Sequence, residues 1–176
     1  MTRSQGSGPR SRRTSPAPSR RRYSSGTPWE SKVGYSRAVR VGSRIYVSGT
    51  TATASDGTVV GPDDPYAQTV RALDNIETAL SALGSRREAI VRLRVFVTRI
   101  EDFEAVANAL GERFRTVRPA ATLVEVSRLV DPAMRVEIEV DAEEASRVSR
   151  GARPRSSFAR GRRSRQSAGR ERRRLS

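Results

Sequence analysis

The excess positive charge of this chain is confined to its two ends, which limits the part that can fold to one central segment. The 176 residues include 34 basic and 19 acidic side chains. Residues 1–29 contain seven arginines and no acid, and residues 147–176 contain twelve arginines and one glutamate. Residues 30–146 therefore carry a net charge of −3. A segment of this length is long enough for one domain with its own core and too short for two.

The two terminal segments, residues 1–29 and 147–176, consist mainly of arginine, serine, glycine and proline. With so few apolar side chains they bury too little surface to offset the loss of chain entropy, and we predict that both are disordered. Three interpretations of their charge stay open. They are solvated extensions, or they bind nucleic acid through phosphate contacts, or the first acts as a targeting segment.

Two absences in the composition exclude most side-chain chemistry. The chain contains no cysteine and no histidine, which rules out disulfides, thiolate nucleophiles, imidazole metal ligands and histidine acid–base catalysts. Carboxylates, hydroxyls, arginines and backbone groups remain. The lack of cysteine is typical of a cytoplasmic protein, and no apolar run approaches the roughly 20 residues that span a bilayer. We therefore expect a cytoplasmic protein with no membrane partner.

Three short β-rich segments open the central domain, at residues 35–41, 44–48 and 58–60. Gly42 lies in a two-residue gap, which is the spacing of a tight hairpin, and Gly57 lies in a second turn. The sequence therefore predicts three strands before the first helix.

Helical and strand periodicities then alternate. Residues 64–83 and 102–114 place apolar side chains at helical spacing, with Asp64 and Asp102 as predicted caps. Residues 91–98 alternate apolar and polar side chains, as a strand with one buried face does, and residues 118–142 contain two further strands around a short turn.

The predicted order is βββαβαββ, an α+β fold with a two-layer sandwich in which two helices cover one face of a mixed sheet. Residues of the opposite strand phase include Leu123, Leu129 and Phe96. The uncovered face is thus partly apolar, which favours a partner subunit.

Several segments, in this order and spacing, resemble the RidA/YjgF family: GYSRAVRVGSRIYVSGTTA, PYAQTVRALDNIETALSALG, VRLRVFVTRIEDF, RPAATLVEVSRL and VEIEVDA. The resemblance implies a fold like that of chorismate mutase and a homotrimer with small-molecule clefts between subunits. It also implies hydrolysis of reactive enamines and imines, such as 2-aminoacrylate, to a 2-keto acid and ammonia. No metal or cofactor is implied.

The resemblance also assigns site residues. Glu137 matches the glutamate that positions the hydrolytic water, and Tyr35, Ser48 and Gly49 match residues that border the substrate. Each has a structural alternative. Glu137 fits a solvent-facing strand row with other acids, Tyr35 fits core or interface packing, and Ser48 with Gly49 fits a strand end.

Ala121 departs from the family pattern, because the family has a substrate-clamping arginine at this position after Pro-Ala. Leu123 replaces a small or polar residue near the ligand, so we expect a more apolar pocket lined by both residues. Other arginines are candidates to replace the clamp, namely Arg118, Arg128, Arg92 and Arg94. Two functions remain open: a cofactor-independent deaminase-type hydrolase, and a non-catalytic trimer that binds a metabolite.

Overall fold

The structure is a computed structural model that describes residues 18–145. Within this range the strands are β1 (Arg20–Tyr23), β2 (Ala38–Val41), β3 (Arg44–Thr51), β4 (Ile90–Val97), β5 (Ala120–Glu125) and β6 (Val136–Glu143). The helices are α1 (Pro28–Val33), α2 (Pro65–Ala82) and α3 (Phe103–Phe114). The sheet order is β1-β2-β3-β6-β4-β5, with β4 and β5 parallel and every other neighbouring pair antiparallel. The predicted α+β fold with a mixed sheet is confirmed.

The core lies between the sheet and helix α2, with α3 beside it. Helix α2 begins at Asp64, whose carboxylate accepts a hydrogen bond of 2.9 Å from the Ala67 backbone N–H. Leu73, Ile76 and Leu80 follow at helical spacing and are fully buried. The predicted limits of this helix are therefore close to the observed ones, because capping and periodicity both agree with the tertiary packing. None of the helices in residues 18–145 is long and apolar enough to cross a membrane.

Strand β6 separates the two faces of the sheet. Val136, Ile138 and Val140 are buried on the side of the helices, and Glu137 and Glu139 alternate with them on the uncovered side. This alternation follows from the two-residue period of a strand. The carboxylates of the final strand therefore lie on the face that carries no helix.

Three sequence-based expectations fail in detail. Residues 58–60 form only an isolated bridge, Thr53 with Val59, because the tight turns around Gly57 use the neighbouring backbone groups. An irregularity at the start of β4 buries Ile90 and leaves Val91 49% exposed, where we predicted a buried valine. The turn between the last two strands is not short, because residues 126–135 connect β5 to β6 and β4 lies between these strands in the sheet.

The predicted cap of α3 is also wrong in its chemistry. Asp102 stands at the start of the helix but makes no side-chain cap hydrogen bond. Its carboxylate instead accepts two hydrogen bonds from the Arg135 guanidinium, at 3.0 and 2.7 Å. Both side chains are nearly buried, and a bidentate charged pair is stronger there than a single bond to a backbone amide.

The folded region begins earlier than predicted. Residues 1–29 were expected to be disordered, yet Arg20–Tyr23 forms an edge strand on β2, and Tyr23 packs against the core. The strand exists because β2 offers free backbone groups to a segment whose own side chains carry no apolar alternation. Residues 1–17 and 146–176 lie outside the described residues, so the predictions for those parts of the terminal segments stay predictions.

Candidate functional site

The candidate site is built around a β-bulge in β3. Val47 pairs with Val140 and Thr50 with Ile138, so β3 has one extra residue between these pairs. Such a bulge re-aims side chains and lets a backbone approach a neighbouring strand closely. Here it presses Gly49 against Glu137: a Cβ atom at Gly49 would overlap Oε1 of Glu137 and lie 2.8 Å from its Cδ. Only glycine fits at this position without displacing the carboxylate.

Glu137 is a half-buried carboxylate with free hydrogen-bonding capacity. Among residues 18–145, no protein group donates a hydrogen bond that would lower the pKa of the Glu137 carboxyl group. Burial raises the pKa of Glu137, the charge of Arg37 opposes this effect and Glu139 adds to it, so the pKa lies above the ordinary value of 4.5. A carboxyl group in this state is suited to exchange a proton with a bound water molecule or ligand.

Glu137 opens onto a groove of about 620 Å³. The segment that connects β5 to β6 forms its other side through Arg128, Leu129, Val130 and Pro132. Val130 is 83% exposed, so much of this wall is apolar and accessible. The groove therefore combines one carboxylate, one guanidinium and an apolar surface.

Arg37 joins the remaining parts of the site. Its Nη2 donates to the Tyr35 hydroxyl at 3.0 Å, and its Nη1 donates to the Gly49 carbonyl at 2.6 Å and to the Thr50 hydroxyl at 3.2 Å. The Ser48 hydroxyl donates to a backbone carbonyl, that of Ser36, at 2.9 Å. Arg37 thus links Tyr35 to Gly49, which lies against Glu137, while Ser48 ties the bulge to the segment before β2.

Sequence reasoning missed Arg37. Its signal was present, because Tyr35 and Arg37 are two residues apart in an extended segment and so lie on the same face. The choice among 34 basic residues could not be made from that spacing alone. Only the bulge, which brings the Gly49 carbonyl within reach, distinguishes Arg37 from the other arginines.

Ala121 and Leu123 do not lie beside Glu137 within one chain. In the parallel ladder of β4 and β5, Ala121 pairs with Leu93 and Leu123 with Val95, whose side chains face the helices. Leu123 packs against the core, so its predicted place on the uncovered face is wrong. Paired residues of adjacent strands share a face, and β5 repeats the register of β4. Ala121 and Leu123, which we expected to line one pocket, therefore lie on the opposite side of the sheet from Glu137.

Ala121 borders a second groove, of about 690 Å³, between β5 and α3. Its floor includes Leu93 and Phe114, and Arg115 and Arg118 lie at its edge. Arg118 adopts a left-handed backbone conformation, with φ of 49°, directly before Pro119. A longer side chain at position 121 would extend into this groove.

The four arginines considered as replacements for the clamp have different surroundings. Arg94 is bound to Glu139 at 2.7 Å and lies 3.6 Å from Asp141, so its positive charge is already paired with these two carboxylates. Arg92 is exposed on β4, and Arg118 lies in the groove of Ala121. Arg128 alone among the four lines the groove of Glu137. Within residues 18–145, no cluster of three or more acidic side chains is arranged to hold a metal ion.

Comparison with known proteins finds relatives over the same segment. A family model described as Endoribonuclease L-PSP matches residues 27–144. An uncharacterized protein of Streptomyces coelicolor, SCO2049, is 40% identical over 69% of this chain and 90% of its own length. A 2-iminobutanoate/2-iminopropanoate deaminase of Dermatophagoides farinae is 34% identical over 60% of this chain and 81% of its own. The crystal structure of Rv2704 from Mycobacterium tuberculosis, described as a member of the YjgF/YER057c/UK114 family, is 42% identical. It matches with a TM-score of 0.66, covering 72% of this chain and 100% of that one.

Proposed function

The chain belongs to the RidA/YjgF family, and on that premise we propose that it hydrolyses reactive imines and enamines to a carbonyl compound and ammonia. The observation that carries the proposal is Glu137, a half-buried carboxylate with a raised pKa that opens onto a groove. The named activity of the Dermatophagoides farinae relative supports the same reaction class.

The reaction needs one group that accepts and returns a proton. Glu137 takes a proton from a bound water molecule while the water oxygen forms a bond to the imine carbon. The same carboxyl group then returns the proton to the nitrogen, which gives a carbinolamine. It next takes the hydroxyl proton of this carbinolamine and delivers it to the nitrogen, so that the carbon–nitrogen bond breaks, the carbonyl forms and ammonia leaves. Because burial raises the pKa of Glu137 above its ordinary value, this carboxyl group is a stronger base than an exposed glutamate, which favours removal of a proton from water. The steps need no oxidant, metal or cofactor.

The complete site requires two copies of the chain. Ala121 and Glu137 lie on opposite faces of the sheet, so one chain cannot bring their grooves together. The uncovered face supports association, because it exposes large apolar groups at Tyr46 and Val124, with Phe96 beside them. We therefore place the site between subunits of a homotrimer, with the Ala121 groove of one subunit against the Glu137 groove of its partner.

The absence of a guanidinium at position 121 points to a substrate other than a simple 2-imino acid. Charged hydrogen bonds contribute about 1.5 to 3 kcal/mol each, so a bidentate clamp is a large part of carboxylate affinity. The walls near Glu137 offer Leu129, Val130 and Pro132 instead, with Arg128 as the cation. We propose an imine with an apolar substituent, whose anionic group, where it has one, contacts Arg128.

Ala121 also favours a second candidate, a non-catalytic trimer that binds a metabolite in the same cleft. The two candidates differ only in whether Glu137 catalyses hydrolysis of the bound ligand. Binding without hydrolysis, unaffected by Glu137→Gln, would select the second.

The test is the release of ammonia and carbonyl product by the purified full-length protein. Imines generated enzymatically from small and from bulky apolar amino acids are the substrates, and buffer alone is the reference. We expect acceleration with the bulky imines and its loss in Glu137→Gln, by about a hundredfold or more. The control is Asp141→Asn, which removes a negative charge from the same strand face but acts on Arg94. An unaccelerated reaction with every imine, or full activity in Glu137→Gln, would refute the hydrolytic function.

A further inference from the structure

We propose that Arg37 is a positioning residue for Glu137: it holds the Ser48–Gly49 bulge in place beside that carboxylate and binds the Tyr35 hydroxyl with the same guanidinium. The inference rests on the proposed function only where it concerns turnover. The arrangement itself is testable without any substrate.

The hydrogen bonds of Arg37 define its role. Three of its donor hydrogens are directed at Gly49 O, the Thr50 hydroxyl and the Tyr35 hydroxyl. The Thr50 hydroxyl in turn donates to the Ser48 carbonyl at 2.7 Å, and the Ser48 amide donates to the Arg37 carbonyl at 3.0 Å. The guanidinium of Arg37 therefore holds Gly49 and Thr50, its backbone carbonyl holds the Ser48 amide, and the Thr50 hydroxyl connects the two sides of the bulge.

The same bonds exclude Arg37 as a substitute for the missing clamp. A bidentate contact with a substrate carboxylate needs two parallel N–H groups. Both terminal nitrogens of Arg37 already donate within the protein, and its side chain is only 12% exposed. Arg37 acts on the ligand through Glu137 and Tyr35.

A buried glutamate holds Arg37 from the opposite side. Glu30, in helix α1, is 6% exposed, and its Oε1 lies 3.7 Å from Nε of Arg37. Burial raises the pKa of Glu30, but hydrogen bonds from Ser24 and Ser25 and the charge of Arg37 outweigh this, so its pKa lies below the ordinary value. Glu30 therefore stays ionised and anchors the guanidinium, which links the N-terminal helix to the site.

Arg37 is also the cation that acts on Glu137. Three charged groups face this carboxyl group: Arg37 from the segment before β2, Glu139 from β6, and Arg128 from the connection across the groove. Glu139 is partly neutralised by Arg94. Burial and Glu139 raise the pKa of Glu137, and the charge of Arg37 lowers it. Removing that charge should therefore raise the pKa further, so that the neutral form of Glu137 persists to higher pH.

The first measurement is the NMR titration of Glu137 in full-length protein with isotope-labelled glutamate side chains, assigned with Glu137→Gln. We expect a higher midpoint in Arg37→Gln and a midpoint near the wild-type one in Arg37→Lys, which keeps the charge. The control is Arg113→Gln, because Arg113 is another partly buried arginine that is bound to Asp74 and Glu77. An unchanged midpoint in Arg37→Gln, or an equal change in Arg113→Gln, overturns the proposal.

The second measurement keeps the proposal open to refutation if Arg37→Gln does not fold. A lysine has one nitrogen and cannot reach the Gly49 carbonyl and the Tyr35 hydroxyl together. We expect the Ser48 amide to exchange its hydrogen about tenfold faster in Arg37→Lys than in wild type, because the bulge opens more easily. The Arg113→Lys variant should leave this amide unchanged. Equal exchange in Arg37→Lys and wild type contradicts the positioning role.

These results separate the two proposals. A moved Glu137 midpoint in a protein that hydrolyses no imine supports the role of Arg37 and refutes the hydrolytic function. The opposite result is hydrolysis that depends on Glu137, with an unchanged titration midpoint of Glu137 and unchanged exchange of the Ser48 amide in the Arg37 variants. That result supports the hydrolytic function and refutes the role of Arg37.

Discussion

Substituting Gly49 by alanine tests the geometry of the site most directly. The added methyl group would overlap Oε1 of Glu137 and approach its Cδ to 2.8 Å. Gly49 has no left-handed backbone conformation, so alanine adds no backbone strain of its own. The cost therefore comes from contact with one side chain. Overpacking of this kind typically costs 1 to 3 kcal/mol, so we expect the free energy of unfolding to fall by about 2 kcal/mol.

A double-mutant cycle shows where that cost arises. In Glu137→Ala the carboxylate is absent, so Gly49→Ala should lose most of its destabilising effect in that background. The expected coupling between the two positions is about 1 to 2 kcal/mol, measured by denaturant unfolding at a fixed protein concentration. The control is Gly111→Ala in helix α3, where a Cβ meets nothing within 4 Å. That variant should be more stable than wild type, by about 1 kcal/mol at most.

The same substitution has a catalytic consequence. A carboxylate displaced by about 1 Å no longer aligns with its water molecule, and such a misplacement can reduce the rate of an enzyme about a hundredfold. We expect kcat to fall far more than KM changes. Additive unfolding energies in the cycle, or full activity in Gly49→Ala, would mean that Gly49 and Glu137 do not meet as described.

Three further outcomes follow from the structure. Because the folded-state pKa of Glu137 lies above 4.5, the folded protein binds a proton that the unfolded chain has released, so wild type should lose stability relative to Glu137→Gln as pH rises from about 4.5 through that raised pKa. Asp102→Asn should lower the free energy of unfolding by about 3 to 5 kcal/mol, because it leaves the guanidinium of Arg135 nearly buried and without its charged partner; equal stability would refute this. Ala121→Arg should gain hydrolysis of 2-aminoacrylate if the rest of the cleft is intact, whereas Thr122→Arg, the adjacent position of opposite strand phase, should not.

The parts of the fold that were predictable are those in which local pattern and tertiary packing agree. Helix α2 has a capping aspartate, a proline in its first turn and an apolar stripe, and each of these features is used in the structure. Strand β1 could not be predicted, because Arg20, Arg21 and Arg22 show no alternation and the strand is held by backbone pairing with β2. Backbone pairing leaves little trace in side-chain identity.

Part of the candidate site was predicted from the sequence, but Arg37 and the arrangement of the residues were not. Resemblance pointed to Tyr35, Gly49 and Glu137; the bulge of β3 brings Gly49 against Glu137, and Arg37 connects Gly49 to Tyr35. It also grouped Ala121 and Glu137, which strand phase places on opposite faces of the sheet. Resemblance to a family groups the residues that line one cleft, whether these residues belong to one chain or to two. The register of the sheet distinguishes the two cases, because it shows which residues of one chain share a face.

That separation determines how the loss of the family arginine should be understood. Ala121 belongs to the groove beside α3, and Glu137 belongs to the bulge held by Arg37, with the sheet between them. No described contact of Arg37, Gly49 or Glu137 involves strand β5, so the change at position 121 need not disturb the carboxylate. Within one chain the two grooves share no residue, so a change at position 121 acts on Glu137 only through the ligand that both contact in the proposed cleft. We therefore propose that alanine at position 121 alters which ligand is held and leaves Glu137 in place to accept a proton. A restored arginine should consequently change the preference among imine substrates more than the dependence of turnover on Glu137.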